Sequence, residues 1–178
     1  MNIMYLTLNN MVNLNDANIH TGLIKEFINK GHHVTIISPI QNRQNTPDNI
    51  IYGDGFTIHK PHVGNITNTG FVEKGLSVLK AGRVINAYLK NNIKNQNFDL
   101  LVLTIPPVTY DDVVKYVRRK YHCKVYLLLK DFWPASLFDV DVKGGTIVKR
   151  AACAYLRTHE KNLYSSCDYI GCMSEGNV

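Results

Sequence analysis

No stretch of this chain is apolar for the ~20 residues that a membrane-spanning helix needs. Its opening, MNIMYLTL, is too short and too poor in basic residues to be a signal peptide, and Ile3–Leu8 fits a first strand instead. GxGxxG does not occur, so a dinucleotide fingerprint is missing and NAD chemistry is disfavoured. The four cysteines, Cys123, Cys153, Cys167 and Cys172, form no CxxC pair and have no paired histidine spacing. They fit free thiols in a reducing cytosol better than a zinc site. His59 and His62 in HKPHVGN have ligand-like spacing, but no further ligands accompany them, and no metal is expected. Ten tyrosines are present but not interleaved with basic residues as in a single-strand-binding platform, so nucleic acid is not an expected partner. Internal repeats and low-complexity tracts are absent, and the sequon at Asn65–Thr67 has meaning only in a secreted chain.

What is present is the material of one domain. At 178 residues with 45% hydrophobic content, the chain can bury a substantial core. The net charge of +6 comes from cations spread over several helical patterns, among them Lys80, Arg83 and Lys90, and Lys115, Arg118 and Arg119. Solvated helix faces account for them better than a binding surface, with an anionic membrane surface as the alternative. Short β-rich runs alternate with longer helical ones. Strands are expected at Ile3–Leu8, His33–Ser38, Phe56–His59, Leu100–Thr104, Lys124–Leu129 and Tyr169–Met173. Helices are expected at Ala17–Lys30, Val72–Asn95, Thr109–Tyr121 and Thr146–Ser165. Runs such as LLVLT and KVYLLL suit strands buried on both faces. Ile19, Leu23, Phe27 and Ile28 form one stripe on the first helix, which Gly31 should stop. The βαβ order implies an α/β fold: a doubly wound, mostly parallel sheet with helices on both faces. The end of the chain, a strand with no covering helix after it, reads as the front part of something longer.

In such a sheet ligands bind beyond the carboxyl ends of the strands. The long connection NNMVNLNDANIHTGL after the first strand falls there, and it offers Asn15, Asp16 and His20. Asp16 reads more readily as a helix cap than as a catalytic group. His20 either faces the crevice or packs. The free N–H groups of the helix start can hold a phosphate. The fourth strand ends in Leu103-Thr104-Ile105-Pro106-Pro107, where the prolines form a rigid exit and Thr104 and Thr109 can donate to a ligand hydroxyl. The fifth ends in Lys130-Asp131-Phe132-Trp133-Pro134. A carboxylate at a strand end flanked by aromatics suits a sugar: the acid takes hydroxyls and Trp133 covers an apolar sugar face. A packed Trp beside a capping Asp fits equally well.

Three stretches carry a family resemblance. NKGHHVTIIS is similar to a "GHEVTVIT" second strand. YLLLKDFWPASLFD resembles a strand ending in Asp and a "WP" or "FP" turn. HEKNLYSSCDYIGCMSEGNV is similar to an "E…LY…AD.I…S" segment. Across nearly all of its length the chain resembles the N-terminal half of two-Rossmann-domain (GT-B) retaining glycosyltransferases of the family 4 type, closest to those that build bacterial capsular or other surface polysaccharides.

The resemblance implies that residues 1–178 are the acceptor-binding domain. A C-terminal domain absent from this chain would hold the nucleoside-diphosphate sugar and supply an E-x7-E pair, so the fragment alone should be inactive. It implies Asp131 as the catalytic carboxylate and Asn15, Asp16, His20, Thr104, Lys130 and Trp133 as acceptor contacts. No cofactor is bound tightly: the sugar nucleotide is a substrate. The acceptor is a saccharide or a polyprenyl-diphosphate-linked one, reached from the cytoplasm with peripheral contact to an anionic inner membrane face. In one respect the chain departs from the family: its first loop carries Asn15, Asp16 and Asn18 where phosphate-approaching glycines are usual. A stand-alone sugar- or nucleotide-binding module, one subunit of a split enzyme, and a sugar-nucleotide epimerase are the competing readings.

Overall fold

The computed structural model describes residues 1–44, 49–66, 68–105, 108–129 and 147–172. In chain order the elements are β1 (Asn2–Leu6), α1 (Ile19–Asn29), β2 (His33–Ile37), β3 (Ile40–Gln41), β4 (Asn49–Gly53), β5 (Phe56–Lys60), β6 (His62–Val63) and α2 (Phe71–Asn92). There follow β7 (Leu100–Ile105), α3 (Asp111–Tyr121), β8 (Lys124–Leu129), α4 (Ile147–Ser165) and β9 (Tyr169–Cys172). A 3-10 turn at Val108–Tyr110 leads from β7 into α3.

The main sheet runs β4-β5-β2-β1-β7-β8-β9. All neighbours are parallel except β4, which pairs antiparallel with β5 at the edge. Without β4, the six parallel strands stand in the chain order 3-2-1-4-5-6, the doubly wound arrangement expected from the sequence. The direction of winding reverses between β1 and β7. In doubly wound sheets ligands bind beyond the carboxyl ends at such a reversal, so that is where one is to be sought.

Two apolar clusters cover the two faces, and the alternation of β1 divides them. Ile3 and Tyr5 point to the cluster with Ile24 of α1 and Ile36 and Ile58. Met4 and Leu6 point to the larger cluster with Ala81, Ile85 and Leu89 of α2, Val113, Val114 and Val117 of α3 and Leu163 of α4. Burial on both sides explains the unbroken apolar runs of β7 and β8.

Helix α1 ends as its sequence predicts. Gly31 takes a left-handed φ of 78°, its N–H donates to Ile28 O at 2.8 Å, and His32 N–H donates to Phe27 O at 3.0 Å. This pair of bonds satisfies two carbonyls that the helix end would leave open. The start of α1 differs from expectation. Asn18, not Asp16, is the cap: its Oδ1 accepts from His20 N–H at 2.9 Å and Thr21 N–H at 3.0 Å, while Thr21 Oγ1 accepts from Asn18 N–H at 3.1 Å. Asp16 lies two residues short of the cap, and only its backbone carbonyl takes part, accepting from the Thr21 hydroxyl. β1 also stops earlier than Leu8. The last parallel bond on its β2 side runs from Thr7 N–H to Ile37 O at 3.1 Å, after which the chain turns away.

β4 is an addition to the expected set. It joins β5 through Asp54-Gly55, with Gly53 opposite Phe56 and Gly55 at a φ of 74°. β3 and β6 form a two-stranded parallel ribbon beyond the main sheet.

Candidate functional site at the carboxyl edge

At the reversal point two threonines meet. Thr7 follows β1, Thr104 lies near the end of β7, and the Thr104 hydroxyl donates to Thr7 Oγ1 at 3.3 Å. Both are buried. Thr104 is thus brought to the expected place, with a partner, Thr7, that the sequence did not single out. Its neighbour Thr109 points elsewhere: its hydroxyl donates to Val78 O at 2.9 Å and ties the 3-10 turn to α2. α2 comes close enough there that a Cβ on Gly82 would stand 2.6 Å from Thr109 O.

The β1–α1 connection forms the near wall, and two buried polar residues from neighbouring strands fasten it. Ser38, just past β2, accepts from Met11 N–H at 2.7 Å and donates to Asn9 O at 2.6 Å. Lys60, at the end of β5, donates to Met11 O at 2.8 Å and to Asn10 Oδ1. Met11 and Leu14 then pack into the α1-side cluster. Of the residues expected to touch the acceptor, Asn15 and Asp16 are exposed on this loop, and Asn15 N–H donates to Asn13 Oδ1 at 2.8 Å. His20 is only 2% exposed. Its Nδ1 lies 2.8 Å from Tyr5 Oη, and the two rings meet edge to face. The packing alternative for His20 is the one the structure shows, and burial holds the Tyr5 phenol well above its usual range. The first-turn N–H groups of α1 that were expected to meet a phosphate are those Asn18 already takes.

On the other side of β5, His59 is buried, with Nδ1 3.2 Å from Tyr88 Oη and Nε2 without a partner among the described residues. Burial lowers its pKa, so the imidazole is held neutral. Beyond it a groove of about 810 Å³ opens between the β6 segment and the first turns of α2. Its wall is formed by Val63, Leu76 and Val84, with His62, Ser77 and Lys80 as polar points. No group of three metal-ligating side chains occurs among the described residues. The four cysteines are free thiols, and burial pushes that of Cys167 up to about 11, which makes it a poor nucleophile at neutral pH. Lys130, Asp131 and Trp133 lie outside the described residues. Strand β8, which leads to them, ends at Leu129 beside Ile105 of β7.

Ser38 and Lys60, besides Thr7, are residues that sequence reasoning missed. The signal for Lys60 was present: in Phe56-Thr57-Ile58-His59-Lys60 it continues the alternate row Phe56, Ile58, where an apolar residue would be the ordinary choice.

The mostly parallel, doubly wound sheet is similar to the fold of solved glycosyltransferase structures of the GT-B type. A trehalose-6-phosphate enzyme from E. coli bound with UDP-2-fluoro glucose superposes with a TM-score of 0.61 at 10% identity, over 98% of this chain and 40% of its own. Sucrose-phosphate synthase from Thermosynechococcus elongatus superposes with a TM-score of 0.52 at 10% identity, over 97% of this chain and 48% of its own. The chain thus spans less than half the length of either. Neither a protein-family profile nor a curated protein sequence matches it.

Proposed function

We propose that this chain is the acceptor-holding N-terminal domain of a retaining GT-B glycosyltransferase. The complete enzyme moves a sugar from a nucleoside diphosphate to a saccharide or polyprenyl-diphosphate-linked acceptor in surface-polysaccharide synthesis. The observation that carries the reading is the whole-chain likeness to GT-B folds, with the winding of the sheet reversing between β1 and β7, where the Thr104 hydroxyl meets Thr7. In the reaction the bond from the anomeric carbon to the diphosphate breaks. A bond from the acceptor oxygen to that carbon forms on the same face, and the hydroxyl proton leaves with the diphosphate. The domain contributes by holding the acceptor hydroxyl at the face that the diphosphate leaves, which is a matter of proximity and charge placement.

Asp131 orients that hydroxyl, with Lys130 and Trp133 beside it and Thr104, Asn15, Asp16 and His20 along the near wall. His20 acts there through Tyr5 rather than by direct contact, because it is buried. Membrane contact is assigned to α2, whose outer face exposes Leu76, Leu79 and Val84 beside Lys80 and Arg83. No described helix is long and apolar enough to cross a membrane. Equal binding to anionic and neutral liposomes would remove that assignment.

The deciding experiment is sugar transfer by the full-length protein with a panel of nucleoside-diphosphate sugars, and the anomeric configuration of the product read by NMR. Retained configuration, with transfer lost by ~100-fold or more in Asp131→Ala and folding unchanged, is the expected result. Transfer at the parent rate in Asp131→Ala removes that residue from the site. Sugar or nucleotide binding without turnover makes the protein a binding module.

A further inference from the structure

Alternate residues of a strand share a face. On the α1 face of β5 the row is Phe56, Ile58, Lys60, and the row ends in an ammonium that is only 4% exposed. Lys60 donates to two acceptors, Met11 O and Asn10 Oδ1, and both are neutral. Among the described residues no carboxylate pairs with it. An ammonium carries three donors, so one remains. A buried cation with no opposite charge is costly, and burial lowers its pKa accordingly. The same lysine lines a small pocket of about 240 Å³ with Asn10, Gln44, Asn49, Val12 and Ile51.

The amides around it have donors to spare for an anion. The Asn10 carbonyl oxygen is taken by Lys60, and the Gln44 carbonyl oxygen accepts Gln41 N–H at 2.9 Å. What these two side chains have left to offer is their NH2 groups, which are donors only. Asn49 stands directly opposite Lys60 in the β4–β5 register, so its side chain lies on the same face. The pocket sits beyond the carboxyl end of β5 and against the first βα loop, on the ligand side of the sheet.

We propose that Lys60, with the amides of Asn10, Gln44 and Asn49, binds an oxyanion group, a phosphate monoester or a carboxylate, carried by the acceptor saccharide. That the group belongs to an acceptor rests on the function proposed above. That the pocket takes an oxyanion does not.

The test is calorimetric titration of the full-length protein, in a buffer free of phosphate and carboxylate, with inorganic phosphate, glucose 6-phosphate, glucuronate and glucose. Binding of phosphate or of either charged sugar is expected, at least ~10-fold tighter than glucose, as one charge-assisted hydrogen-bonded contact supplies. Glucose 6-phosphate without glucuronate assigns a phosphosugar, and the reverse a uronic acid. Lys60→Met should abolish the preference. Asn49→Asp, which keeps Lys60 and the strand pairing but puts a carboxylate beside it, should weaken oxyanion binding ~10-fold or more. Lys90→Met, on the exposed face of α2, should leave it unchanged. Oxyanion binding that survives Asn49→Asp, or falls equally in Lys90→Met, overturns the site, as does no oxyanion binding up to ~50 mM. If binding follows the pattern but no sugar is ever transferred, the proposed function fails and the site stands. If sugar is transferred but no oxyanion binds, the site fails and the proposed function stands.

Discussion

The two edges of the sheet are built on different principles. At the amino edge, two aspartates each precede a strand by one residue and make the same pair of bonds. Asp99 donates its N–H to Asn2 O at 2.9 Å and accepts Asn2 N–H on Oδ2 at 2.7 Å. Asp168 donates to Val125 O at 2.9 Å and accepts Val125 N–H on Oδ2 at 2.9 Å. Asp168 also meets Arg118 at 3.3 Å and Lys124 at 3.2 Å. Both carboxylates there have partners, and the result is strand alignment. At the carboxyl edge the polar groups are hydroxyls and one lysine, and they fasten a loop rather than a strand. Lys60 has no opposite charge among the described residues. Complete pairing marks the end that only holds the fold, and incomplete pairing marks the end where a ligand can finish the set.

The largest expected effect strikes packing at the carboxyl edge. Gly82→Ala brings a methyl to 2.6 Å from the Thr109 carbonyl, and neither α2 nor the 3-10 turn can yield cheaply because Thr109 Oγ1 is bonded to Val78 O. A loss of about 2 kcal/mol in denaturant unfolding is expected. Unchanged stability would mean that α2 slides freely over this turn.

The next effect belongs to the amino edge. The Val125 N–H, followed by Lys124 and Arg118, holds the Asp168 carboxyl below its ordinary value of 3.8. A depressed carboxylate contributes stability above the unfolded-state pKa and loses it as pH falls through the folded one. Asp168→Ala should therefore be less stable than the parent at pH 7, and the two should converge below about pH 4. A constant gap down to low pH would show that the backbone bond alone matters.

Lys60 gives a slope of the same sign in a higher pH range, but there it is the charged form that folding penalises. Its pKa is lowered by burial, so the folded state gives up the proton more readily than the unfolded chain. Parent stability should rise relative to Lys60→Met as pH climbs toward the ordinary lysine value of 10.5. Bound phosphate should flatten that rise, because the ammonium then has its counter-charge. A parent and variant with parallel pH profiles would mean that Lys60 is well solvated.

How much of this was legible beforehand follows burial. β8 occupies Lys124–Leu129 as the sequence predicts, and β7 runs one residue further than expected, because strands covered on both faces announce themselves as apolar runs. β4 was missed because it is an edge strand with mostly exposed side chains and no apolar period, although the Asp54-Gly55 turn beside it was a usable hairpin signal. Placing the cap at Asp16 rather than Asn18 reflects two nearby candidates of similar propensity, which only the Thr21 hydroxyl separates. The candidate site is a different matter. Strand order put ligands at the carboxyl ends, and Thr104 is there. Ser38 and Lys60, however, act on residues 27 to 50 positions away, and no local pattern carries a contact of that range.

The smallest effect concerns a hydroxyl that belongs to neither edge's logic. Tyr110 ends the 3-10 turn after β7, fully buried in the α2–α3 cluster, and its Oη has no hydrogen-bond partner among the described residues. An unpaired buried hydroxyl gives up its water bonds without replacement, so deleting it removes a cost and leaves the ring packing as it was. Tyr110→Phe should therefore raise stability by up to about 1 kcal/mol. The measurement is the chemical denaturation midpoint with the m-value held constant. A destabilised Phe variant would show that the hydroxyl is satisfied in solution, by a water or by a rotation of the turn. The carboxyl edge would then be more completely paired than the contrast between the two edges allows.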